Sequence, residues 1–246
     1  MTSIAIVCEA PADFLISSEL ADRVVLNEVE WLEIGLLDSQ RTWIRESNGT
    51  ELLWKHIKSL ARPLGIKIHG HFGGEPGQPD ASIARRAILL LRRLFDPDAI
   101  MLIRDADNQA ERLKGLNQAR DHFGDEPKIV IGVADPEREA WVIAGFDPSD
   151  ETEQKLLESE RQNLGFDPRT RSHELTATND DQAKKSPKRV LKVLTCDSVE
   201  RENPCWQETE LTTLESNGRS NGLCPFLAEV KQHLVPLITG RQDPPA

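Results

Sequence analysis

The amino-acid sequence predicts an α/β fold: a parallel sheet with helices on both faces, followed by a mostly helical C-terminal extension. Three observations carry this. Short apolar runs stop abruptly at acids, at Glu9, Asp105 and Asp135. A helical pattern follows each of the first two runs, and a third follows Asp135. Over residues 98–145 the order strand, helix, strand, helix has the spacing of right-handed βαβ units, which bury a sheet on both faces. A chain of 246 residues, 38% hydrophobic and 29% charged, has the apolar content for such a core.

In chain order, residues 3–8 read as a buried strand ending at Glu9, and residues 10–29 as a helix with Asp13 in its first turn. Residues 31–47 fit neither period cleanly. Thr50 is placed to cap a helix over 50–64 with Glu51 in its first turn. A second β-like run starts at Ile66 and carries His69 and His71 on one face; a metal pair is conceivable there, but without further ligands such histidines are more often structural. A Gly/Pro-rich loop leads to a helix over 81–95. Its Arg85, Arg86, Arg92 and Arg93 suit the wet side of an amphipathic helix, with a nucleic-acid track as the alternative. The apolar run Ile100 to Ile103 is a strand, residues 108–123 a helix, 128–135 a strand and 136–145 a helix whose Trp141 packs in the core behind Glu139.

The character changes after Asp147. A polar helix, a breaker-rich basic stretch and a polar loop-like stretch over 202–224 precede a closing apolar helix interrupted by Pro236, then a frayed tail. The expected organisation is a domain over 1–147 and an extension over 148–246.

Composition narrows the function. No apolar stretch reaches the roughly 18 residues a membrane span needs, and the N-terminus lacks the basic region of a secretory signal. Cys8, Cys196, Cys205 and Cys224 form no zinc or disulfide pattern, so a cytoplasmic protein with reduced thiols is expected. A net charge of −11 argues against a solitary, tight nucleic-acid binder, whose affinity would rest on phosphate contacts. It is compatible with an acidic catalytic centre, with homo-oligomerisation, and with a partner that supplies basic surface.

In an open parallel sheet, ligands bind beyond the carboxyl ends of the strands. Glu9, Asp105, Asp107, Asp135, Glu137 and Glu139 all fall at or just past such ends. Clustered carboxylates repel one another unless a cation intervenes. Hard oxygen donors suit Mg²⁺ or Mn²⁺ and hence phosphoryl-transfer chemistry. Each acid alone is better explained as a helix-capping or first-turn residue, Glu137 after Pro136 among them. Acids at three strand ends together favour a site.

The segment Val7-Cys8-Glu9-Ala10-Pro11-Ala12-Asp13 resembles the first motif of Toprim domains, with Ala10 at the motif's glycine position. Met101-Leu102-Ile103-Arg104-Asp105-Ala106-Asp107 resembles the second, and Glu139-Ala140-Trp141 is similar to a segment of Toprim-like proteins paired with ATPases in phage defence, as in the overcoming-lysogenization-defect nucleases. The resemblance covers residues 3–146. It implies a Rossmannoid Toprim-like domain in which Glu9 is an acid/base or metal ligand, Asp105 and Asp107 hold Mg²⁺ or Mn²⁺, Glu139 completes the site and Asp13 assists. Toprim topoisomerases need a tyrosine nucleophile, and this chain has none. A nuclease acting on DNA or RNA, with an ATPase partner, is therefore the expected member. A catalytically silent scaffold and a phosphohydrolase of small phosphates are the alternatives. Lys184, Lys185, Lys188 and Arg189 surround Pro187 at a helix start, with Arg169 and Arg171 nearby; they read equally as a nucleic-acid grip and as a solvated helix start, and the opposition of positive charge to the helix dipole slightly favours the grip.

Overall fold

The structure, a computed structural model, describes residues 1–46, 49–68, 70–72, 74–124 and 126–240. The expectations for His69 and for the tail beyond residue 240 lie outside the described residues. The strands are β1 (Thr2–Cys8), β2 (Arg41–Ile44), β3 (Leu52–Leu53), β4 (His71–Phe72), β5 (Glu75–Pro76), β6 (Ala99–Asp105) and β7 (Lys128–Ala134). The helices through the sheet region are α1 (Pro11–Glu28), α2 (Leu37–Gln40), α3 (Trp54–Ala61), α4 (Ala81–Leu94), α5 (Glu111–Asp121) and α6 (Glu139–Ala144). Beyond it come α7 (Glu151–Leu164), α8 (Pro187–Leu194), α9 (Val199–Glu202), α10 (Pro204–Gln207), α11 (Leu211–Asn217), α12 (Leu223–His233) and α13 (Val235–Thr239). The fold is α/β, with a parallel central sheet flanked by helices and a helical C-terminal region. No helix among the described residues is long and apolar enough to cross a membrane.

The chain forms two compact units. The first comprises Met1–Arg104, Ala110–Gly132 and Ala228–Ala246; the second comprises Asp105–Gln109 and Val133–Leu227. Residue 147 falls inside the second.

In the first unit the sheet order is β2-β1-β6-β7. β1 is central because its residues from Ile4 to Cys8 are all buried, as a strand with neighbours on both edges requires. β6 runs parallel along one edge, Ile4 opposite Ala99. β2 takes the first half of the other edge and β3 the second half, where Val7 faces Leu52. That pairing corrects the expected helix over 50–64: buried Leu52 joins the sheet, Glu51 pairs with Arg45 at 2.6 Å, and the helix starts only at Trp54. The ambiguous stretch resolves into a 3₁₀ turn, α2 and β2. The β-like run from Ile66 is corrected too. Ile66 and Ile68 are in no strand, and the pairing formed is the short antiparallel β4–β5.

α4 buries Ala84, Ala87, Ile88 and Leu91 at helical spacing and leaves Arg92 and Arg93 exposed. α5 passes close to the start of α4 because Gly115 has no side chain. A Cβ there would lie 1.7 Å from the Pro79 carbonyl oxygen. Asp13 ties down the start of α1: its Oδ2 accepts from the Ala10 N–H at 2.8 Å and the Glu9 N–H at 3.1 Å.

In the second unit α6 is buried along its whole length. Trp141 stacks on Phe226 with centroids 5.0 Å apart, and its Nε1 donates to the Asn221 carbonyl at 2.9 Å, consistent with core packing. Asn221 is fully buried and fully used. Its Nδ2 donates to the Ala140 carbonyl and Ser172 Oγ, its Oδ1 accepts from the Leu223 N–H, and its carbonyl also accepts from the Asp135 N–H. The stretch expected to be loop-like over 202–224 instead contains α10 and α11. They bury Cys205, Trp206 and Leu214, and Ser198 Oγ caps the preceding α9. The break at Pro236 appears as the step from α12 to α13.

Candidate metal centre

The acids of the two units have different surroundings. In the first unit Glu9 follows β1 directly. Its Oε1 lies 3.2 Å from Arg104 Nη1 and 3.8 Å from Arg112 Nη1. The same two guanidiniums reach Asp80, at 2.9 Å from Arg104 Nε and 3.4 Å from Arg112 Nε. Arg104 is braced over the Trp54 ring, and Trp54 Nε1 donates to the Ile103 carbonyl at 2.7 Å. Two cations thus answer two carboxylates. Neither arginine stood out in the sequence, although Arg104 immediately precedes the Asp105-Ala106-Asp107 motif.

In the second unit the end of β6 turns sharply. Asp107 and Asn108 both adopt left-handed backbone, with φ of 48° and 60°. Short polar side chains tolerate this region better than others, but two in succession need external support. The support is present. The Ala106 N–H donates to the Ala134 carbonyl, the Asp107 N–H to the Pro136 carbonyl, and Asn108 Nδ2 to the Ala177 carbonyl at 2.9 Å. The turn therefore sets Asp105 and Asp107 beside the chain that follows β7. There Asp105 Oδ1 accepts from the Arg138 N–H at 2.8 Å. Arg138 Nη2 also donates to Glu139 Oε1 at 2.7 Å, and its Nη1 lies 4.0 Å from Glu202.

Glu137 stands among the acids past the strand ends in the sequence, but nothing there assigns it a role in the site. It is only 6% exposed. Lys188 Nζ approaches its Oε1 at 3.6 Å, while its Oε2 is buried with no hydrogen-bond partner among the described residues. Burial pushes the Glu137 carboxyl above its ordinary range. Lys188 opposes that shift, and the nearby charges of Glu139 and Asp107 add to it. Partial burial works against the charge of Lys188, yet the carboxylates of Glu137, Glu139 and Asp181 outweigh it and hold its pKa above the usual value. Burial likewise raises Glu202, against Arg138 and with Glu139, and it raises Asp135, against His173. Arg138, Glu139, Lys188, Lys192 and Glu202 line a cavity of about 250 Å³.

The donor chemistry suits a hard divalent cation. Asp105, Asp107, Glu137 and Glu139 offer only carboxylate oxygen, and one oxygen atom is buried without a donor. Among the described residues no group of three or more His, Cys, Asp or Glu is arranged to hold a metal ion as it stands. Glu9 lies in the first unit, and Asp105, Asp107 and Glu139 in the second.

The basic cluster is not a common face. Arg189 is turned inward onto Glu160, with bonds of 3.0 and 2.6 Å, and also donates to the Lys184 carbonyl at 2.7 Å. Lys188 serves Glu137, and Lys185 lies over the Phe166 ring at 5.6 Å. Lys184 is exposed. Positive charge at the start of α8 is thus answered by Glu137 and Glu160, while Ser186 Oγ caps the helix. Arg169 and Arg171 are likewise engaged, by Asp167 and Glu174.

No family model, curated protein or solved structure matches the chain. Its functional reading rests on its own residues.

Proposed function

We propose that the chain is a Toprim-like, metal-dependent nuclease that hydrolyses phosphodiester bonds in DNA or RNA, working with an ATPase partner in phage defence. The observation that carries the reading is the carboxylate group of the second unit, Glu137 and Glu139 buried and Asp105 and Asp107 half-buried, with its two-residue left-handed turn and the unpartnered Oε2 of Glu137. Backbone strain held by surrounding hydrogen bonds is a recurrent property of functional sites. Asp105, Asp107 and Glu139 would hold Mg²⁺ or Mn²⁺, and the Arg138 N–H fixes the orientation of Asp105. The bound ion would neutralise charge developing on the phosphate and activate a water molecule. In the first unit Arg104 and Arg112 steady Glu9, the residue for which the resemblance implies an acid/base role. Lys184 and Lys185, exposed and not drawn to Glu137 or Glu160, are the members of the basic cluster left to meet a phosphate backbone.

Asp105→Ala, Asp107→Ala and Glu9→Ala are expected to keep the circular dichroism spectrum of the parent and to lose Mg²⁺- or Mn²⁺-dependent nicking of plasmid DNA and RNA substrates. Cleavage at the parent rate by all three would discard the reading. A specific observation favours a second reading, a silent scaffold. Glu9, Glu137 and Glu139 each have a lysine or arginine beside them, as charges in a purely structural site would. An inactive parent protein that still captures an ATPase partner would decide for it.

A further inference from the structure

The Glu137–Lys188 pair is unusual in how unevenly it is buried. The Glu137 side chain is 8% exposed, whereas that of Lys188 is 47% exposed. The carboxylate is fixed inside the second unit, and its counter-ion reaches it from the surface on a flexible four-carbon stem. At 3.6 Å the contact falls short of a close hydrogen-bonded ion pair, and it serves only one of the two carboxylate oxygens. A buried oxygen left without a donor is costly, so the arrangement without a cation is a compromise. Glu139 and Asp107 add negative charge around the same carboxylate, and Lys188 also borders, with Glu139, a cavity of about 250 Å³ into which its ammonium has space to move.

We propose that Lys188 is the resident counter-ion of a cation site that includes Glu137, and that a divalent cation binds there by displacing the Lys188 ammonium into solvent. This rests on the metal-dependent reading above and adds two statements to it: Glu137 is a cation-binding residue, and Lys188 lowers cation affinity rather than raising it. A half-exposed lysine leaves at small cost because water re-solvates it. The buried carboxylates cannot leave, and they exchange one positive charge for two.

The test is Mn²⁺ binding by electron paramagnetic resonance on the full chain, followed by the rise in melting temperature that Mn²⁺ produces. Lys188→Met and Lys188→Gln are expected to bind Mn²⁺ about tenfold more tightly than the parent, because the competing charge beside a buried carboxylate is gone. They should melt lower than the parent without metal and gain more from its addition. Glu137→Gln should abolish the gain when combined with Lys188→Met. Parent and Lys188 variants binding Mn²⁺ equally well would overturn the displacement idea while leaving the metal-dependent reading intact. Weaker binding by both variants would overturn it in the opposite sense, making Lys188 a supporting residue. Failure of parent and variants alike to bind Mn²⁺ at millimolar concentration would remove the inference together with the reading it rests on. Should Lys188→Met not fold, Lys188→Gln carries the comparison.

Discussion

Arg189 separates two meanings of a basic cluster. As a nucleic-acid contact, its removal would weaken binding and leave the fold alone. The structure assigns it a different task. Its guanidinium forms a two-pronged pair with Glu160, whose side chain is 7% exposed, and a further bond to the Lys184 carbonyl. Arg189→Met leaves the Glu160 carboxylate buried without its partner. Breaking one side of a buried pair costs about 3–5 kcal/mol. For a chain of this size each kcal/mol moves the melting temperature by roughly 2–4 °C, so a drop of roughly 6 to 20 °C is expected. The double variant Arg189→Met with Glu160→Leu should recover most of the loss, because no charge is then stranded. Melting followed by circular dichroism, with urea titrations of the same three proteins, measures both effects. If Arg189→Met melts within a degree of the parent, or the double variant is as unstable as the single one, the assignment of Arg189 to the interior fails.

Two further predictions follow from the same geometry. Glu153 receives a two-pronged bond from Arg201 and further bonds from the Ser149 N–H and hydroxyl, and these hold its carboxyl well below the ordinary 4.5, at about 2. A depressed folded-state value means the charged form is favoured by folding. The contribution is complete above the ordinary value and is lost as the pH falls from near 4.5 through about 2. Glu153→Gln should therefore be less stable at pH 7 and lose less on acidification, and urea midpoints with the same pH dependence as the parent would contradict this. The thiols should differ sharply. Burial raises Cys8 and pushes Cys205 up to about 12, while Cys196 is exposed. Native protein at pH 8 should label rapidly at Cys196, with Cys8 and Cys205 labelling only after denaturation; peptide mapping showing equal labelling of Cys8 would refute the buried placement of β1.

What was legible in the sequence follows from which forces are local. β1, β6 and β7 announced themselves because a strand buried on both faces needs an unbroken apolar run, and that run is visible without knowing its neighbours. The start of α3 was not legible. Leu52 and Leu53 fit a helix as readily as a strand, and only the vacant half of the β1 edge recruits them into the sheet. The run from Ile66 had the opposite fate: Ile66 and Ile68 join no strand, and only its end, His71–Phe72, pairs, with the short β5. The short helices α9 to α11 carry too little periodicity to register, and each buries one or two side chains at most.

The candidate site divides along the same line. A sequence reveals that acids follow strands, but not which cation each will face. Arg104 and Arg112 for Glu9, Lys188 for Glu137 and Arg138 for Glu139 come from other places in the chain or from the neighbouring residue, and only folding pairs them. Glu137 taken alone reads as a first-turn acid after Pro136, and the local pattern gives no sign that the residue is buried with one of its oxygens unserved. Internal pairing alone does not distinguish a working centre from a silent one, because both must neutralise their acids when no metal is bound. The distinction lies in how completely they do so. Arg189 satisfies Glu160 with two short bonds, as a structural pair should. Lys188 satisfies Glu137 with one long contact and leaves the second oxygen bare. Within a single unit the chain thus shows what a finished ion pair looks like beside one that is unfinished, and the unfinished one stands among the carboxylates of Asp107 and Glu139.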